Sequence, residues 1–265
     1  MDNFLDIAIQ AALEAGARIM EVYDNSNFEI ELKSDNSPLT LADKRAHRTI
    51  VTLLNITGIP IISEEGIIPD FEFRKNRNLV WMVDPLDGTK EFISRNGEFT
   101  VNIALIEDNI PTIGVVYVPA QRLLYFSSEE SGSYKTICNY DYTEESLEVS
   151  LSKAEKIVVV KNSDDYTVLA SRSHNSIETN EHIALLRKKH SNLSIKNIGS
   201  SLKFCLIAEG NANIYPRLAT TCEWDTAAGQ AILTHAGGKV IDYETNEPLY
   251  YNKEELLNPW FIASN

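Results

Sequence analysis

Residues 81–92 read WMVDPLDGTKEF, and the fold and chemistry of the chain depend on this stretch. The apolar run that ends at Val83 predicts a buried strand, which delivers two carboxylates, Asp84 and Asp87, into a turn. Strand ends of this kind are where α/β proteins place metal and phosphate chemistry. The alternative is an ordinary strand-to-helix turn, in which an aspartate caps the helix and Pro85 restricts φ. Residues elsewhere in the sequence are needed to distinguish between these two interpretations.

The same stretch contains the parts of a two-metal site for phosphoryl transfer. Asp84 can bridge two ions through its two oxygens, the Leu86 carbonyl can face one metal, and Asp87 can reach the second. Gly88 permits close backbone approach, and the N–H groups that open the next helix can hold a phosphate oxygen. Two ions roughly 3.5–4 Å apart would stabilise both the attacking and the leaving oxygen.

Three further elements carry carboxylates at their ends. Asp43 lies near a predicted helix start, Glu64 follows a short apolar strand, and Asp225 opens an alanine-rich helix. Each alone is explained by helix capping or by a solvated surface. Together with the central stretch they predict a convergent carboxylate cluster, in which Thr89, hydrogen-bonded to Asp43, would orient and activate the attacking water.

Composition and charge restrict the classes of function. The chain has 265 residues and a formal net charge of -14, so a basic footprint for a DNA or RNA polymer is missing. Divalent cations would still let an acidic protein bind a small phosphorylated ligand. The three cysteines are widely separated, which favours a reducing compartment. We expect neither a signal peptide nor a membrane span, and we expect a cytoplasmic location.

The periodicity of the chain predicts two halves. After an amphipathic helix at 3–23, closely spaced strands predict an antiparallel meander, because no room is left for helical crossovers. The polar segment 139–156 is the candidate boundary, which gives halves at 1–140 and 141–265. Strands and helices alternate in the second half, as is typical of an α/β arrangement. We therefore predict an α+β half followed by an α/β half that together form one catalytic unit.

Two sequence signatures resemble those of a known family. Residues 84–89 (DPLDGT) and residues 224–228 (WDTAA) are similar to the paired signatures of the Mg²⁺-dependent, lithium-sensitive inositol monophosphatase superfamily. Residues 40–43 (TLAD) and 63–65 (SEE) lie where that family has its other two acidic elements. The resemblance covers nearly the whole chain and implies a layered αβαβα sandwich with the site between its halves.

The resemblance also implies the metal ligands. One Mg²⁺ would bind Glu64, Asp84 and the Leu86 carbonyl, and a second would bind Asp84, Asp87 and Asp225. A third ion would lie near Asp43, Glu64 and the water, so that the catalytic residues are Asp43, Glu64 and Thr89. Glu65 competes with Glu64 for the ligand role, and the family pattern favours the first glutamate of the pair.

Within the superfamily, residues 90–92 (KEF) are similar to the CysQ-type 3'(2'),5'-bisphosphate nucleotidases. A substrate with two phosphates needs cations beyond the metals, for which Arg172, His174, Lys203 and Arg217 are candidates; the alternative for Lys203 and Arg217 is ordinary surface cations. The residues expected to bind substrate are Glu64, Leu86, Asp87, Gly88, Thr89, Ser173, His174, Gly199, Ser200, Ser201, Lys203, Arg217 and Asp225.

The resemblance implies hydrolysis of the 3'-phosphate of adenosine 3',5'-bisphosphate in sulfur assimilation, with two or three Mg²⁺ ions per site. We also expect a monomer. A peripheral association with the inner membrane is compatible with this. Two alternatives stay open. One is an inositol monophosphatase or related sugar phosphatase, which would share the catalytic core, and the other is a non-catalytic, acidic metal-binding or interaction protein with the same fold.

Overall fold

A computed structural model describes residues 3–25, 31–32, 38–160, 165–172 and 176–265. Within these ranges, the helices are α1 (Asn3–Tyr23), α2 (Leu41–Leu54), α3 (Phe71–Arg74), α4 (Thr89–Ile93), α5 (Glu144–Ser152), α6 (Ile177–Lys189), α7 (Leu202–Ala208) and α8 (Glu223–His235). Two 3₁₀ turns cover Asn55–Thr57 and Pro119–Gln121. No helix in these ranges combines the length and the apolar character needed to cross a membrane.

The strands form three sheets. They are β1 (Glu31–Leu32), β2 (Pro38–Leu39), β3 (Ile61–Ser63), β4 (Leu79–Asp87), β5 (Thr100–Glu107), β6 (Ile110–Val118), β7 (Leu123–Ser128), β8 (Gly132–Ile137), β9 (Glu155–Ile157), β10 (Tyr166–Ser171), β11 (Leu193–Ile198), β12 (Ile214–Arg217), β13 (Lys239–Asp242) and β14 (Phe261–Ser264). One sheet has the order β3-β4-β5-β6-β7-β8-β9, a second has the order β11-β10-β12-β14-β13, and β1 pairs with β2.

The two large sheets stack with helices into five layers. Helices α1 and α2 pack on the outer face of the seven-stranded sheet, and α7 and α8 lie between that sheet and the five-stranded one. Helix α6 covers the far face of the five-stranded sheet. The predicted αβαβα sandwich is confirmed, and α8 contacts both large sheets.

Most predicted elements are present, including the α1 helix and the antiparallel meander from β4 to β7. The prediction that the first strand ends at Val83 is wrong, because β4 continues to Asp87 through a register shift. Asp84 pairs with Asn102 and Asp87 pairs with Thr100, so β4 carries one more residue than β5 between these pairs. Such a bulge suits a strand containing proline, which has no N–H to donate to the ladder.

Other boundaries differ as well. The polar segment 139–156 contains α5 and most of β9, and β9 pairs with β8, so the first sheet takes a strand from beyond residue 140. The sequence predicts a strand at 211–215, and the structure has it at Ile214–Arg217. Alternating apolar and acidic residues around Phe28 predict a strand, and the composition of residues 34–38 predicts a loop; both lie largely outside the described residues.

Candidate active site

The bulge in β4 presents the central carboxylates. Asp84 is 1% exposed, and its Oδ1 accepts a hydrogen bond from the Leu86 backbone N–H at 3.0 Å. This bond turns the chain tightly around Pro85. The strand thus ends with Asp84 held beneath the surface and Asp87 at the rim of a cavity.

Three elements bring their carboxylates to one point. Strand β3 runs parallel to β4, with Ser63 beside Val83, so the next residue, Glu64, lies beside Asp84. Asp225 reaches the same point from the first turn of α8. One carboxylate oxygen from each of Glu64, Asp84 and Asp225 lies within 4.8 Å of the others. We call this group the metal trio.

The electrostatics of the trio favour the binding of a cation. Burial raises the pKa of Asp84 and of Asp225 well above the ordinary value, and the neighbouring carboxylates raise both further. Burial also raises the pKa of Asp87, to about 6, although Lys203 and the Ser201 N–H act in the opposite direction. Carboxylates forced together in a poorly solvated site repel one another unless a cation lies between them.

These oxygens fit a hard divalent cation, which takes carboxylate and carbonyl ligands and keeps several waters. Among the described residues, the trio is the group of carboxylates, histidines and cysteines with the spacing of a metal site. Asp87 is not a member of this trio, and its Oδ2 accepts the Ser201 N–H. The assignment of Asp87 and the Leu86 carbonyl as ligands stays a prediction.

Asp43 and Thr89 lie together as expected. The Thr89 hydroxyl donates to Asp43 Oδ1 at 3.4 Å, while Asp43 Oδ2 accepts the Thr40 N–H at 2.7 Å. The predicted capping box at the start of α2 is therefore confirmed, and it fixes the rotamer of Asp43. Thr89 opens α4 directly after Gly88, whose φ of +89° favours glycine.

The turn that precedes α7 is held from both sides. Glu98 accepts the Gly199 N–H at 2.7 Å, and Asp87 accepts the Ser201 N–H at 2.6 Å. The Lys203 ammonium donates to the carbonyls of Ile198 and Ser200 at 3.1 and 2.6 Å. Sequence reasoning missed Glu98, because nothing in its sequence surroundings signals a contact with a turn about a hundred residues away.

The Ser201 side chain is directed into the core. Its hydroxyl donates to Asn102 Oδ1 at 2.7 Å and lies 2.9 Å from the Thr100 hydroxyl. Ser201 is 2% exposed. Its N–H therefore supports the end of β4, and its hydroxyl supports the start of β5. Ser201 thus stabilises the site and also lines the cavity.

The candidate phosphate-binding cations have different environments. Lys203 and Arg217 are 4% and 8% exposed and line the cavity, so the surface-cation alternative is wrong for both. Burial lowers the pKa of Lys203 to about 8, although Asp87 opposes the shift. Arg172 is exposed and forms a bidentate ion pair with Glu98. Ser173 and His174 lie outside the described residues.

The trio and the two buried cations line one cavity of about 360 Å³. Gly88, Thr89 and Ser200 also line it, as expected for substrate-binding residues, whereas Gly199 lies behind the turn against Glu91 and Glu98. Sequence reasoning missed the wall formed by Thr220, Thr221 and Cys222. Their position directly before the Asp225 helix was the available signal.

Comparison with known proteins gives consistent results. The chain matches the model of the inositol monophosphatase family over residues 1–263. It is 42% identical over 263 residues to the 3'(2'),5'-bisphosphate nucleotidase CysQ of Shigella flexneri, covering 98% of this chain and 99% of the relative. The protein of the same name from Escherichia coli (strain K12) is 42% identical with the same coverage.

Solved structures show the same relationship. The chain superposes on CysQ from Bacteroides thetaiotaomicron, described as a bacterial member of the inositol monophosphatase family, with a TM-score of 0.91. The two are 48% identical, over 100% of this chain and 97% of the other. A Thermotoga maritima IMPase gives a TM-score of 0.77 at 24% identity, covering 100% and 92% of the chains, which shows the shared fold alone.

Proposed function

The chain belongs to the inositol monophosphatase family, and we propose that it is a 3'(2'),5'-bisphosphate nucleotidase that hydrolyses the 3'-phosphate of adenosine 3',5'-bisphosphate to AMP and phosphate. The observation that carries this proposal is the presence of the metal trio and of Lys203 and Arg217 in one cavity. Carboxylates suit a metal that activates one phosphate, and separate cations suit a second phosphate. The likeness to several CysQ relatives supports the nucleotide as substrate.

We propose Mg²⁺ as the metal, with two or three ions per site. Glu64, Asp84 and Asp225 would hold it, joined by Asp87 and the Leu86 carbonyl. When bound, it supplies Lewis-acid stabilisation of the charge that develops on the phosphoryl oxygens and the leaving 3'-oxygen. The raised pKa values of Asp84 and Asp225 support a site built to share its negative charge with cations.

The residues of the chain prepare the attacking water. Asp43 Oδ2 accepts the Thr40 N–H, and Asp43 Oδ1 accepts the Thr89 hydroxyl. With its proton directed to Asp43, the Thr89 oxygen can accept a hydrogen bond from water at the cavity wall. This arrangement aims a water lone pair at phosphorus and gives its proton a route towards Asp43.

The opposite end of the cavity would hold the phosphate that is not cleaved. Arg217 can offer planar N–H donors to it, and its exposed fraction of 8% means that little water competes. Lys203 contributes positive charge while two carbonyls hold its ammonium beneath the Ser200 turn. An inositol monophosphate has no second phosphate to engage these groups.

A phosphate-release assay on two substrates tests the proposal. Adenosine 3',5'-bisphosphate and inositol 1-phosphate are each incubated with the protein, with and without Mg²⁺. We expect Mg²⁺-dependent release and a higher kcat/KM for the nucleotide. A higher kcat/KM for inositol phosphate would assign the chain to the inositol monophosphatase or sugar phosphatase alternative, and no release from either would favour the non-catalytic alternative.

We further propose a place in sulfur assimilation, a cytoplasmic location and a monomeric state, with peripheral association with the inner membrane compatible with these. The three widely separated cysteines, which favour a reducing compartment, support the location. Size-exclusion chromatography with light scattering tests the monomer.

A further inference from the structure

Arg74 is an arginine buried away from the cavity, at the end of α3. It is 2% exposed, yet its guanidinium has a set of polar partners. It donates to Asn252 Oδ1 at 2.8 Å, to the Lys253 carbonyl at 2.7 Å and to the Glu254 carbonyl at 3.2 Å. Asn252 returns a hydrogen bond from its side-chain amide to the Arg74 carbonyl at 3.1 Å.

The same loop binds a buried glutamate. Glu223 is the first residue of α8 and is 0% exposed. Its carboxylate accepts the backbone N–H groups of Asn252 and Lys253 at 2.6 and 3.1 Å, and the Lys253 ammonium at 2.5 Å. Arg74, Glu223, Asn252 and Lys253 thus form one network, which we call the Arg74–Glu223 latch.

The latch connects two elements that carry ligands of the metal trio. On one side, α3 belongs to the connection between β3 and β4, which begins with Glu64. On the other side, Glu223 lies in the same helical turn as Asp225. Through the latch, the connection that bears Glu64 is bonded to the helix that bears Asp225.

We propose that the latch residues are positioning residues that set the separation of Glu64 and Asp225 before metal binding; this inference rests on the proposed metal-dependent function. Repulsion among the trio would otherwise drive its carboxylates apart in the metal-free protein. In some proteins a buried, hydrogen-bonded ion-pair network specifies one geometry even where an apolar replacement would be equally stable, and we infer the same role here. None of the four latch residues lines the cavity itself, so we expect the latch to affect metal affinity more than the chemical step.

Two variants and a matched control test this inference. Asn252→Gly removes the bonds between the Asn252 side chain and Arg74 while accepting the φ of +62° at this position. Arg74→Lys retains the charge but removes the planar fork of donors. The control, Lys135→Met, breaks the half-buried ion pair between Lys135 and Glu209, which lies outside the cavity. Binding of MgCl₂ alone is measured by titration calorimetry, with kcat determined at saturating Mg²⁺.

Both latch variants are expected to weaken Mg²⁺ binding by about fivefold or more, somewhat less than the loss seen when groups bonded directly to ligands are replaced. The kcat at saturating Mg²⁺ is expected to stay within about twofold of the wild type, because the metal-bound site has the same groups. Wild-type affinity in Asn252→Gly, or equal weakening in Lys135→Met, would overturn the inference. Failure of the wild type to bind Mg²⁺ would instead contradict the proposed function.

Discussion

The Oδ2 atom of Asp87 lies 2.6 Å from the backbone nitrogen of Ser201, which donates a hydrogen bond to it. This bond joins the end of β4, in the seven-stranded sheet, to the residue that precedes α7, which lies between the two large sheets. It neutralises part of the charge on Asp87 and fixes the turn that forms one wall of the cavity. The carboxylate at the end of β4 and the turn that precedes the buried Lys203 are thereby held together.

Replacing Asp84 with asparagine is expected to abolish turnover while the fold is retained. The substitution removes the central carboxylate of the trio, and losing about 3 kcal/mol or more of transition-state stabilisation lowers kcat/KM by at least roughly a hundredfold. Phosphate release and Mg²⁺ calorimetry measure the effect. Asp108→Asn removes the same charge from an exposed turn and should leave both unchanged. Wild-type turnover in Asp84→Asn would refute the metal assignment.

The effect of Mg²⁺ on stability should increase with pH. In the metal-free protein the pKa of Asp87 is raised from 3.8 to about 6, so the folded state holds a proton that the unfolded chain loses earlier. The contribution of this group to the free energy of unfolding therefore falls as pH rises from about 4 to about 6. If Asp87 binds Mg²⁺ as proposed, the ion would replace the proton and remove this penalty.

Thermal unfolding with and without Mg²⁺ checks this expectation. The increase in Tm on adding Mg²⁺ should be larger at about pH 7.5 than at about pH 5, where protons compete with the metal. Calorimetry in buffers of different ionisation enthalpy should detect proton release on Mg²⁺ binding. A Tm increase that is independent of pH would contradict the raised pKa of Asp87.

Thr89→Ala should separate catalysis from metal binding. Its hydroxyl donates to Asp43 and faces the cavity, so its loss leaves the attacking water without orientation. We expect kcat to fall by roughly a hundredfold, as for loss of general acid–base assistance, with Mg²⁺ affinity unchanged. Thr89→Ser keeps the hydroxyl and should restore most of kcat. Equal loss in both variants would show that the methyl group, and not the hydroxyl, matters.

Arg217→Gln should discriminate between substrates with and without a second phosphate. Loss of a charge-assisted hydrogen bond costs about 1.5 kcal/mol or more, so the KM for adenosine 3',5'-bisphosphate should rise about tenfold. The KM for 3'-AMP, which has no 5'-phosphate, should change little. Arg187→Gln on the exposed face of α6 serves as the control. An equal rise for both nucleotides would place Arg217 at the phosphate that is cleaved.

Gly229→Ala should destabilise the protein although it lies inside α8, where alanine is the better helix former by about 1 kcal/mol. An added Cβ would lie 2.5 Å from Phe204 Cδ2 and 2.6 Å from its Cγ. Overpacking of this kind costs about 1–3 kcal/mol, so the clash is expected to prevail. Urea unfolding measures the loss, which should be smaller in a Phe204→Leu background if Phe204 is the cause.

Local patterns in the chain predicted much of the fold because helix caps and strand periodicity depend on interactions between residues that are close in the chain. The capping box of Thr40 and Asp43 and the meander of strands β4 to β7 follow from residue spacing alone. The bulge in β4 was missed because it depends on the register with β5, which apolar periodicity does not encode. Strand β9 was missed because a polar segment gives no strand signal until a partner strand is present.

The sequence by itself determined the chemistry of the site: the carboxylates of Glu64, Asp84 and Asp225 and the hydroxyl of Thr89 follow from residue types at the ends of elements. Only the tertiary structure decided which of these meet, that Lys203 and Arg217 are buried, and that Glu98 anchors the Gly199 turn. The physical reason is the separation along the chain over which each kind of interaction acts. Helix caps and strand periodicity act between near neighbours in the chain, whereas charge repulsion, burial and hydrogen bonding depend on distances in space that packing alone creates.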